Sequence, residues 1–231
     1  MTEQATDAGE LQIARPLKTP RAAAVAGIVF SVLLITSLVL LELSTPSDTS
    51  KPGAWLTDSA RRTAVAVALN LIPFAGIAFL WFIGVIRDRV GRHEDRFFAT
   101  VFLGSGLLFV GMLFVAAALA GGIIAGATSR PPGSAGASTL VLGRNVTSIL
   151  VNVYAMRMAA VFTLTLVTIA RRTAIVSRWL TIAGLVTAVL LLVGVGISAW
   201  VELIFPAWIL VLSVDVLRAG QRAANSSAPP G

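Results

Sequence analysis

The chain has no cysteine, so disulfides, cysteine-ligated zinc or iron–sulfur centres and thiol nucleophiles are excluded. Its one histidine, His93, leaves almost no room for a histidine-based metal site. Charge is scarce as well. Charged residues make up 13% and hydrophobic residues 56% of 231, with a mean hydropathy of +0.87, where a soluble domain carries roughly a quarter charged residues. Too little polar surface remains to cover a water-soluble globule of this size. The formal charge of +7 does not form a basic stripe. It sits at the flanks of long uncharged runs, which excludes nucleic acid as the expected partner and points to headgroups of a lipid bilayer.

Those runs are what the sequence has in abundance. A crossing needs about 20 mainly apolar residues, since about 30 Å of hydrocarbon is covered at 1.5 Å per residue. Residues 22–43, 63–86, 98–127 and 147–170 each meet this. A fifth run from Trp179 to about Val216 is close to twice the needed length and is divided into 179–197 and 200–218. The corner falls at Gly196-Ile197-Ser198-Ala199-Trp200, where small residues permit a turn and Trp200 suits the interface. The expected fold is therefore all-α, a polytopic bundle of six transmembrane helices over 21–219, between polar tails at 1–20 and 220–231. The first run is too long for a signal-peptide core and ends in Glu42-Leu43-Ser44-Thr45-Pro46 without a small-x-small cleavage site, so a retained helix is expected.

Loop charge sets the orientation. With the N-terminus inside, the inner segments hold Arg15, Lys18, Arg21, Arg87, Arg89, Arg92, Arg96, Arg171, Arg172, Arg178, Arg218 and Arg222. The outer segments hold only Lys51, Arg61, Arg62, Arg130 and Arg144. This bias of twelve to five favours both termini in the cytoplasm. The outer segments 44–62 and 128–146 are rich in Ser, Thr, Gly and Pro and read as loops. The inner loop Arg87 to Arg96 alternates in sign and reads as a solvated turn around His93.

Polar residues inside the spans carry the functional signal. Arg157 lies ten residues from Thr147, about 15 Å deep. An arginine at that depth costs roughly 3 kcal/mol or more and is expected to face a partner or water inside the bundle. Asn70, about 10 Å down the second span, and the Leu69 carbonyl freed by Pro73 are candidate partners. Glu202, near the outer end of the last span, is another. Asn70, Asn152, Tyr154, Arg157 and Glu202 thus form a candidate ligand-binding pocket for an anionic small molecule or a proton relay. The same residues equally fit a structural Arg–Glu pair that pins helices together. Glu42 sits apart at the outer end of the first span, Asp215 is expected to pair with Arg218, and no two carboxylates are expected at one depth.

Catalytic constellations are missing. Gly104-Ser105-Gly106 follows Leu103 where an intramembrane serine protease needs glycine, and the only histidine is in an inner loop, so no Ser–His dyad is expected. There is no phosphate-cradling glycine-rich loop and no His-Glu-x-x-His, and no cofactor is expected. The third span places Ala118, Gly122 and Gly126 on one stripe, a face for close helix packing inside the bundle, between identical copies or with another membrane protein.

The segments Leu69-Asn70-Leu71-Ile72-Pro73-Phe74-Ala75-Gly76, Arg96 to Gly106 and Asn152 to Met158 resemble those of multi-span membrane proteins from actinobacteria, a family without an assigned activity. The resemblance implies a bacterial plasma membrane, and the sixteen arginines beside only Lys18 and Lys51 agree with it. The expected role is non-enzymatic: small-solute or proton-linked transport centred on Arg157, or else a membrane scaffold or accessory subunit in which Arg157 is structural.

Overall fold

In a computed structural model the described residues are 19–45, 54–90, 96–128, 137–173, 177–194 and 199–226. They are helical, with no strand among them. In order they form α1 (Thr19–Ser44), a 3-10 turn (Ala54–Thr57), α2 (Ser59–Val90), α3 (Arg96–Thr128) and α4 (Ala137–Ser148). A π-helical segment (Ile149–Ala155) runs on into α5 (Met156–Thr173), followed by α6 (Arg178–Val193), a second 3-10 turn (Ala199–Leu203) and α7 (Ile204–Ser226).

Five helical stretches are long and apolar enough to cross a membrane: Arg21–Ser44, Ser59–Arg87, Phe97–Gly126, Ser138–Arg171 and Trp200–Ala219. The Arg178–Val193 helix is apolar but shorter. The final apolar run is divided between two helices, but α6 stops at Val193, short of the expected 197. The fourth long stretch begins at Ala137, inside the segment read as an outer loop, and α7 continues to Ser226, past the start of the expected tail at 220. The expected tail over 1–18 and the loop histidine His93 lie outside the described residues.

The helices pack with their chain neighbours, and α7 returns to α1 to close the ring. Burial follows the helical repeat: on α1, Phe30, Ser31, Leu34 and Ser37 are buried while Val25, Val29 and Val32 face outward. Outward-facing apolar side chains recur on α2, α3 and α6, among them Phe74, Trp81, Leu108, Ile182 and Val193. Such a surface suits lipid and not water.

At the centre, each of α1, α2, α3, α5 and α7 contributes one phenylalanine with no exposed surface: Phe30, Phe79, Phe109, Phe162 and Phe205. Phe79 is the hub, with ring centroids 4.5 Å from Phe30, 5.3 Å from Phe109, 5.0 Å from Phe162 and 5.8 Å from Phe205. Tilted and edge-on contacts of this kind add about 0.5–1.5 kcal/mol per pair beyond area burial.

Buried hydroxyls bond mostly within their own helices, Ser31 Oγ to the Gly27 carbonyl and Thr163 Oγ1 to the Ala159 carbonyl, both at 2.8 Å. Ser37 Oγ is different: it donates across to the Ala68 carbonyl of α2 at 2.8 Å, next to the Leu69 carbonyl that Pro73 leaves free of its usual donor. Two glycines set close approaches. A Cβ at Gly27 would run into Ser213 Oγ of α7, and one at Gly184 would meet Val167 of α5 and Trp208 of α7. Trp208 Nε1 also donates to the Leu180 carbonyl of α6 at 3.4 Å. By contrast Gly122 and Gly126 have open space where a Cβ would stand and Ala118 is exposed, so the α3 stripe is not used for packing among the described residues.

Candidate functional site

At the end of the bundle where α1 finishes and α2 begins, the helices diverge around a cavity of about 900 Å³. Its floor is aliphatic: Leu34 of α1, Ile72 of α2 and Leu113 of α3. Leu34 and Leu113 stand one turn from Phe30 and Phe109, so the aromatic layer lies directly beneath and closes the cavity toward the other end.

The walls become polar toward the mouth. Asp58 precedes α2 and caps it, its Oδ1 accepting the Ala60 amide at 2.9 Å. Its other oxygen lies 3.5 Å from Arg61 Nε, and both side chains are half-exposed, so this rim pair contributes little to stability. Arg144 of α4 also lines the wall, as do Trp55 and Trp200 from the two 3-10 turns. Glu42 enters from the last turn of α1 and Glu202 from the 3-10 turn before α7.

Glu202 is the focus of this polar set. The Asn152 amide hydrogen-bonds its carboxylate, and the charge of Glu42 is near enough to act on it. Asn152 Nδ2 also lies 3.1 Å from Ser148 Oγ, to which it donates along the helix. Thr147 Oγ1, on the same wall, is buried and has no hydrogen-bond partner among the described residues. A buried hydroxyl without a partner is costly, and a bound molecule or water would supply one.

Of the five residues singled out in the sequence, the structure brings together two, Asn152 and Glu202. Asn70 is exposed on the outside of α2, its Nδ2 donating to the Ala66 carbonyl at 2.8 Å. Tyr154 is likewise exposed. Arg157 does not line the cavity and has no carboxylate partner among the described residues; its Nη1 donates to the Val153 carbonyl at 3.1 Å. The reason is the π-helical segment. There the Met156 amide reaches back five residues to the Val151 carbonyl, which shifts the register and places a backbone acceptor within reach of the guanidinium. The expected Asp215–Arg218 pair is not formed either.

Glu42 is the residue that sequence reasoning left apart. It lies in the last turn of α1 and Glu202 in the 3-10 turn before α7, and the contact of α1 with α7 and with that turn brings both to one cavity. The sequence puts both near the same end of their spans but gives no pair of carboxylates at one depth, and adjacency of the two helices is not readable from it. The hydroxyl of Ser105 is largely buried and donates to the Val101 carbonyl at 2.7 Å. The chain matches no known family model, no curated protein and no solved structure.

Proposed function

We propose that this is a six-crossing protein of a bacterial plasma membrane, with both termini cytoplasmic, that admits a small amphipathic solute to the outer cavity as a step in transport. The observation that carries the reading is a chamber with an aliphatic floor and a polar mouth, stopped at mid-depth by five packed phenylalanines. Pockets that take small molecules have this form, apolar walls with a few convergent polar groups. Glu202, Asn152 and Glu42 are the orienting groups, and Arg157 is assigned a structural role within its own helix. The chemistry is binding and passage without catalysis.

The native absence of cysteine makes a direct test simple. Ala117→Cys, on the partly exposed cavity wall of α3, is expected to react with a membrane-impermeant thiol reagent added to the outer face, because a thiol ionises and reacts only where water reaches it. Ile83→Cys, a buried position one turn beyond Phe79, is expected to react from the inner face when the aromatic layer opens. An inert Ala117→Cys would remove the chamber from consideration. A second reading, scaffold or accessory subunit, is supported by the outward-facing Ala118 and Gly122, where a partner helix finds no side chain in its way. It predicts that both engineered cysteines stay unreactive and that Gly122→Leu disrupts an assembly.

A further inference from the structure

The charge and shape of the chamber specify what it takes. Its lining carries three carboxylates, Glu42, Asp58 and Glu202, against two guanidinium groups, Arg61 and Arg144, and Arg61 is held by Asp58 at the rim. When all are ionised, one negative charge is left over whichever carboxylate Arg144 faces. Glu42 and Glu202 line the same cavity, and in a partly apolar wall two carboxylates that are both charged repel far more strongly than in water. A positive charge between them removes that repulsion; an anion would add to it.

The rest of the cavity selects among cations. A hard divalent cation such as Ca2+ or Mg2+ takes about six or more oxygen ligands at close range, whereas the chamber of about 900 Å³ is floored by Leu34, Ile72 and Leu113. An apolar body fills that space and removes aliphatic surface from water. Trp55 and Trp200 also line the cavity, and aromatic rings of this kind attract a poorly hydrated cation.

We propose that the cavity binds an organic cation with a bulky apolar body, its charge held by Glu42 and Glu202 and its body against the aliphatic floor. This rests on the chamber reading above and gives it a substrate class. Two ions of nearly identical shape and opposite charge make the test: tetraphenylphosphonium and tetraphenylborate, each measured by equilibrium dialysis against the full chain in lipid nanodiscs, with empty nanodiscs subtracted.

Tetraphenylphosphonium is expected to bind saturably and tetraphenylborate at least tenfold more weakly. E42Q/E202Q, which keeps side-chain size, is expected to lose at least tenfold in phosphonium binding, and each single variant to lose less. Ala120→Phe, placed on the half-buried wall of α3 where added bulk projects into the cavity and not into the core, is expected to abolish it. Equal or tighter binding of the borate, or unchanged phosphonium binding by a folded E42Q/E202Q, overturns the proposal. So does a lack of saturable phosphonium binding by the wild-type protein. In those cases a reactive Ala117→Cys leaves the chamber standing with a different occupant, whereas an inert one removes both.

Discussion

At the scale of single residues, the arginine that dominates the apolar sequence serves its own helix. Arg157 donates to the Val153 carbonyl from within the register shift of the π-helical segment, so its substitution should loosen that segment without touching the cavity. Arg157→Met is expected to lower stability by about 1 kcal/mol, the usual net worth of a hydrogen bond, and to leave phosphonium binding within twofold. Thermal unfolding in detergent beside dialysis checks both; normal unfolding with lost binding would return Arg157 to the site. A sharper steric prediction concerns Gly27 and Ser213. Gly27→Ala drives its methyl into Ser213 Oγ and should cost about 1–3 kcal/mol, as overpacked cores do. Ser213 Oγ is buried with no partner among the described residues, so Ser213→Ala alone should be neutral or stabilising and should relieve most of that cost in the double variant.

Elements show which features of the sequence spoke plainly. Long apolar runs with arginines at their flanks mark helices by composition alone, and α1, α2 and α3 lie close to where hydropathy puts them. The extension of the fourth stretch back to Ala137 is hidden because Gly143, Arg144 and Asn145 interrupt the apolar run; the helix continues there because one face of α4 packs on Ile123 while Arg144 lines a cavity. Asn152 and Glu202 were legible as polar groups in apolar surroundings. Their company with Glu42 was not, because no feature of a single sequence says that the first and last helices touch. Depth along a helix marks Arg157 as a costly charge, yet depth cannot foresee a π-helical register that supplies a local acceptor. Two element-level outcomes follow. Phe79→Ala removes the hub of the aromatic layer and should cost about 3–5 kcal/mol. Gly184→Leu should lift α6 from Val167 and Trp208, seen as faster amide exchange in α6 with α1 and α2 unchanged.

At the scale of the molecule, the proposed even number of crossings is tested by reporters fused to both ends, which are expected to report the same side of the membrane; opposite sides would leave α6 lying outside the bilayer. A crossing α6 has a further consequence. Its sixteen residues extend about 24 Å, several ångström less than an average hydrocarbon core. Its outward face, from Trp179 and Ile182 to Val193, is apolar throughout, so along that flank acyl chains must shorten to match it. The bundle would then sit in the membrane as a wedge, thin on the α6 side and full depth on the side of α2 and α3, and would itself gather short-tailed lipids along one edge.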